Sequence, residues 1–154
     1  MAKNKEQKET QPTKVEVNIS DIQGPKLPEY KQDELLAIFD ELIFNGEYKE
    51  EVTVRGKLKV EFRSRSSEET MDISRILDSA DYKLISTLQE QRAFMNLCKS
   101  LVKYHGRDLS QVSDDERTKF VKKLPIQILA ILADKLAEFD RKVDLACREA
   151  EANF

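Results

Sequence analysis

A chain of 154 residues is long enough for one compact core and too short for two once a polar N-terminal stretch is set aside. With 36% charged and 40% hydrophobic residues but only four glycines and four prolines, it falls on the helix-rich side of globular proteins. A net charge of -3 and an isoelectric point near 5.4 exclude whole-molecule attraction to nucleic acid or an anionic membrane, so binding of that kind would need a local basic patch.

The first stretch, MAKNKEQKETQPTK, has too little apolar surface to offset the entropy of ordering, so residues 1–14 are expected to be disordered when free. Val15, Val17 and Ile19 then alternate with polar neighbours, a short strand signal near 15–19. Gly24, Pro25 and Pro28 delay the first helix until after Tyr30. Residues 1–30 therefore read as an extended N-terminal arm. Its strand has two readings: it adds to the sheet edge of a neighbouring protein, or it folds back on its own domain.

From Asp33 the pattern turns helical. Leu35, Leu36, Phe39, Leu42 and Ile43 share a face, Asp33 and Glu34 suit the N-terminal dipole, and Gly46 closes the C-terminus. A β-hairpin over 51–63 follows, with Val52, Val54, Leu58, Val60 and Phe62 on one side of a turn at Gly56 and Thr53, Lys59, Glu61 and Arg63 on the other. Such a ribbon is marginal alone and must be covered. Ser66 and Glu69 have capping-box spacing and open a helix that runs to about Asp81. A second helical pattern runs from Leu84 through Leu101 and Val102, either continuous with the first or after a short break. Tyr104-His105-Gly106 reads as its C-terminal cap.

Ser113 and Glu116 repeat the capping spacing before a short helix, and Pro125 starts the last one, 125–151. Here Leu129, Leu132, Leu136, Phe139, Val143, Ala146 and Ala150 form a narrow seam of the kind that packs lengthwise on another helix. Ile126, Ile128 and Ile131 broaden its first half, which is expected to be buried. The charged surroundings of the second half fit a projecting or homo-oligomerising end, with an ordinary core helix as the competing reading. Under the first reading, Leu136, Phe139 and Val143 face a partner.

Chemistry is harder to find. His105 is the one histidine, and a zinc site from Cys98, His105 and Cys147 would have only three ligands without supporting spacing. The carboxylates at Asp33/Glu34, Glu68/Glu69 and Asp114/Asp115/Glu116 sit at predicted helix starts, where capping and the macrodipole account for them. No phosphate-cradling loop or nucleophile motif is present. The expectation is a protein that is not an enzyme and has no cofactor or metal. Without a secretory signal or an apolar span, it is expected in the cytoplasm with reduced cysteines, and the acceptor pattern Asn18-Ile19-Ser20 reads as coincidence. The one local anomaly is a basic strip, Arg55, Lys57, Lys59, Arg63 and Arg65, which suits phosphates or an acidic protein surface. Glu61 within it, the flanking glutamates and the lack of interleaved aromatics count against nucleic acid. A solvated sheet face is the alternative.

The order of these segments resembles small accessory proteins of tailed bacteriophages, of the tail-assembly chaperone or baseplate-hub-assembly type. The likeness lies in VTVRGKLKVEFRSRSSEE, LVKYHGRDLSQVSDDER and LPIQILAILADKLAEFDRKVDLACREAEANF, and spans about Glu50 to Phe154. It implies a non-enzymatic role in tail or baseplate assembly, as chaperone or minor structural component, engaging other phage structural or assembly proteins. The implied setting is the cytoplasm of the infected bacterium, or the virion. It carries no catalytic residues. The expected architecture is a mostly helical α+β fold: one domain, 31–154, in which the hairpin packs on a bundle of about four or five helices.

Overall fold

The computed structural model describes residues 29–80 and 85–152. Among them are five helices and a four-stranded antiparallel sheet, a mostly helical α+β fold as expected.

Helix α1 (Gln32–Asn45) carries Asp33 and Glu34 in its first turn and ends at Gly46, whose left-handed backbone returns its N–H to Leu42 O at 3.1 Å. Strands β1 (Lys49–Val54) and β2 (Leu58–Arg63) form the expected hairpin, with Val52 opposite Val60 and Val54 opposite Leu58. Their inward side chains Val54, Val60 and Phe62 are buried, while Thr53 and Lys59 are exposed. The alternation follows from the two-residue period of a strand with one covered face.

Helix α2 (Ser67–Asp78) starts at the predicted capping box. Ser66 Oγ accepts the Glu69 N–H at 3.2 Å, and Glu69 Oε2 accepts the Ser66 N–H at 2.9 Å. Helix α3 (Ile85–Ser100) is a separate helix, which resolves the choice between one bent helix and two. The expectation fails at its end: Leu101 and Val102 do not continue it but enter β3 (Leu101–Tyr104), which pairs with β2 and then with the short β4 (Arg107–Asp108). The sheet order is β1-β2-β3-β4.

The physical reason is that β2 offers a second ladder of backbone groups, and Leu-Val-Lys-Tyr, with a branched and an aromatic side chain, satisfies it. His105 and Gly106 are accordingly a hairpin turn, with φ of 46° and 85°. A helix C-cap and a primed hairpin turn both require left-handed backbone, so the dipeptide alone did not separate them.

Ser113 Oγ caps α4 (Asp114–Lys122) through the Glu116 N–H at 3.2 Å, and Pro125 stands just before α5 (Ile126–Ala152). The main core joins Val60 and Phe62 of β2, Leu97 and Cys98 of α3, Leu101 of β3, Leu109, Val121 of α4, and Leu132, Leu136 and Phe139 of α5. Each fully buried side chain of this size contributes about 1.5–3 kcal/mol. A smaller cluster, Leu35, Ile38 and Ala146, seats α1 on the second half of α5.

That arrangement inverts the reading of α5. Leu136 and Phe139 are 2% and 3% exposed in the chain's own core, and half-buried Val143 packs against both clusters. They do not form an outward, partner-facing seam, because α1 and the sheet cover them. Ile126, expected to be buried, is 70% exposed. The strand signal at Val15, Val17 and Ile19 lies outside the described residues.

Candidate functional site

The sheet divides the five-residue basic strip. Arg63 turns back to α2, its guanidinium donating to both Glu69 carboxylate oxygens at 3.0 and 2.6 Å. Burial pushes the Glu69 carboxyl up, but the Arg63 fork and the Ser66 N–H prevail and hold it below the usual carboxylate range. Arg65 reaches across the fold, donating to Ser100 Oγ at 2.6 Å and Asp140 Oδ2 at 2.7 Å. Burial keeps the Asp140 carboxyl above its ordinary value despite that contact. These two arginines join elements. Only Arg55, Lys57 and Lys59 of the strip are left exposed without an ion pair among the described residues.

Lys142 was not singled out from the sequence. It is 7% exposed, with its ammonium 2.7 Å from Glu34 of α1, 3.0 Å from Glu50 of β1, and 5.2 Å from the Tyr30 ring centre. Burial disfavours the charged ammonium, yet the two carboxylates outweigh it and raise the pKa. Tyr48 beside it stacks on Phe139 at 5.8 Å, and its hydroxyl titrates higher than usual through burial and the Glu50 charge. The node fixes α1 and β1 to α5. A small hollow of about 160 Å³ adjoins it, lined in part by Tyr30, Val52 and Lys135.

The larger concavity, about 450 Å³, lies between α3 and α5. One wall carries Glu90, Gln91, Ala93, Phe94 and Leu97, and the other Ile126, Leu129, Ala130 and Ala133. Gln91 aside, each wall is a helix face with spacing i, i+3, i+4, i+7. Seven residues of rise make each about 10 Å long. Seven of these nine side chains are apolar, and the two polar ones, Glu90 and Gln91, are adjacent on α3. Small Ala93, Ala130 and Ala133 make depth, Ile126 forms an exposed lip, and Glu90 is an exposed acidic group at the rim. The sequence signal was the run of extra apolar positions at the start of α5; what it lacked was the knowledge that α3 stands beside them without filling the space.

Among the described residues no three of His, Cys, Asp and Glu are grouped as a metal ion would require. Cys98 is buried in α3, where burial pushes its thiol up, while Cys147 lies on α5 and His105 at an exposed turn. No helix of the described residues is long and apolar enough to cross a membrane. No protein-family model, curated protein or solved structure matches this chain.

Proposed function

We propose that this chain is a non-enzymatic binding protein of the bacteriophage tail- or baseplate-assembly kind, acting as a chaperone or minor structural component, and that it holds an amphipathic helix of a partner protein between α3 and α5. The observation that carries the reading is the cleft itself: two helix walls, mostly apolar and about two turns long, with Ile126 left 70% exposed at the lip. This is the geometry by which a groove accepts the apolar stripe of a third helix. Glu90 at the rim has no ion pair among the described residues, so a complementary helix would carry Lys or Arg on the flank that meets it. The resemblance of Glu50 to Phe154 to phage accessory proteins supplies the biological setting.

The reading is tested by charging the cleft. Ile126→Glu with Ala130→Glu changes two exposed helical positions, so helical circular dichroism and Tm are expected to persist. Each tail or hub protein co-expressed with the chain is assayed for co-purification. The partner retained by the wild type is expected to be lost with the double variant, and equal retention by the two proteins contradicts docking in the cleft.

A further inference from the structure

The two edges of the sheet differ. At one, β4 has only the two residues Arg107–Asp108, and so short an edge offers little to a further strand. At the other, β1 spans six residues, contains no proline and pairs with β2 along its whole length without a register shift. In an antiparallel pair alternate residues turn their N–H and C=O groups away from the partner, and among the described residues no strand receives those of β1. Lys49, Glu50 and Glu51 put charge on the first half of this edge, but Val52-Thr53-Val54 carries none. A regular edge with an uncharged half is a template for a further strand.

The hollow of about 160 Å³ adjoins this edge. Glu50 and Val52 of β1 line one side and Lys135, Glu138 and Lys142 of α5 the other, and no residue of β2 lines it, so it lies on the side of β1 where a further strand would run. Its charges are already matched, Lys142 by Glu34 and Glu50 and Lys135 by Glu138. What stays open is the apolar surface of half-buried Val52 and the ring of Tyr30. An occupant therefore needs aliphatic side chains at the two-residue period of a strand, with no charge on that face. Tyr30 stands at the very start of the described chain, which begins at residue 29. The chain thus enters the fold at this hollow.

We propose that the free edge of β1 is the docking site of residues 15–19 of the same chain, which add to it as a further strand with Val15, Val17 and Ile19 over the hollow. The segment has the required period, since Glu16 and Asn18 alternate with the three aliphatic residues and fall on the solvent side. It also has the reach. Tyr30 follows Ile19 by eleven residues, up to about 36 Å when extended, against about 20 Å for the length of β1. Gly24 and Pro25 give the chain a place to turn back. A tether of this length holds the segment at roughly millimolar effective concentration at its own edge, far above that of a second copy in dilute solution. No residue of the hollow lines the α3/α5 cleft, and the inference stands without that reading.

Amide hydrogen exchange of the full-length protein, resolved by NMR, tests this at β1. The N–H groups of β1 that face away from β2 should exchange roughly tenfold or more slowly in the wild type than in the variant Val15→Asp, Val17→Asp, Ile19→Asp, which changes no residue of the described core. The control Glu16→Gln, Asn18→Ser, on the opposite face of the segment, should keep the protection. Protection should also stay the same over a tenfold range of protein concentration, as pairing within one chain requires. Equal exchange in the wild type and the aspartate variant overturns the proposal, as does equal loss in the control. Protection that grows with concentration overturns it as well, in favour of pairing with a second copy.

Discussion

Lys142 places a charge where a long amphipathic helix would ordinarily bury an aliphatic side chain. Its stem fills the junction of α1, β1 and α5, and its ammonium is compensated by Glu34 and Glu50. Removing the charge leaves Glu50 partly buried beside Tyr48, whereas Glu34, 47% exposed, can rehydrate. Lys142→Met is therefore expected to cost about 2–3 kcal/mol in urea unfolding, below the loss for a fully buried pair. Because the folded pKa is raised, the contribution is fully present below the unfolded lysine value of about 10.4 and is lost only as pH rises through the folded value. The destabilisation should thus be constant across neutral pH.

Glu69 has the opposite sign. Its folded pKa is depressed, so the stability it confers is present above the unfolded value of about 4.3 and is lost as pH falls through the folded one. Glu69→Gln should cost about 1–2 kcal/mol at pH 7, with the difference from wild type shrinking below pH about 4. A difference that stays constant into acid would show that the Arg63 contact adds nothing beyond a neutral hydrogen bond.

At the scale of elements, what could be read from the sequence was what is local. Ser66 and Glu69 lie within one turn of each other, and Val52 to Phe62 alternate about their own turn, so the capping box and the first hairpin form as their residue types dictate. Strand β3 was misread because Leu101 and Val102 become extended by pairing with β2, far upstream, and nothing local distinguishes their apolar side chains from a last helical turn. For α5 the seam was found, and the element covering it was not. An apolar stripe states that cover is needed, and α1 supplies it through Leu35 and Ile38. Leu136→Asp with Val143→Asp should therefore abolish the helical circular-dichroism signal, since a charge would enter the core at Leu136, 2% exposed. A variant that kept its helices and lost only association would show instead that the seam faces outward.

For the whole molecule, the packing of the described residues leaves the apolar cleft of α3 and α5 facing outward. Neither the cleft nor the junction of the two hairpin turns could be read from the sequence as a unit. The walls at 90–97 and 126–133 belong to separate helices, and the paired turns meet only through the β2–β3 ladder. Of the five predicted basic residues, two were absorbed into the fold because Glu69 and Asp140 were placed to receive them. The most direct measurement is site-specific photo-crosslinking from position 130 in cells that produce the protein, with adduct peptides mapped by mass spectrometry and position 141 on the exposed polar side of α5 as control. The account predicts adducts from 130, but not 141, to an amphipathic helix of one partner protein, displaced by a synthetic peptide of that helix and lost with Ile126→Glu. Equal adducts from 130 and 141, or adducts that survive Ile126→Glu, would contradict it.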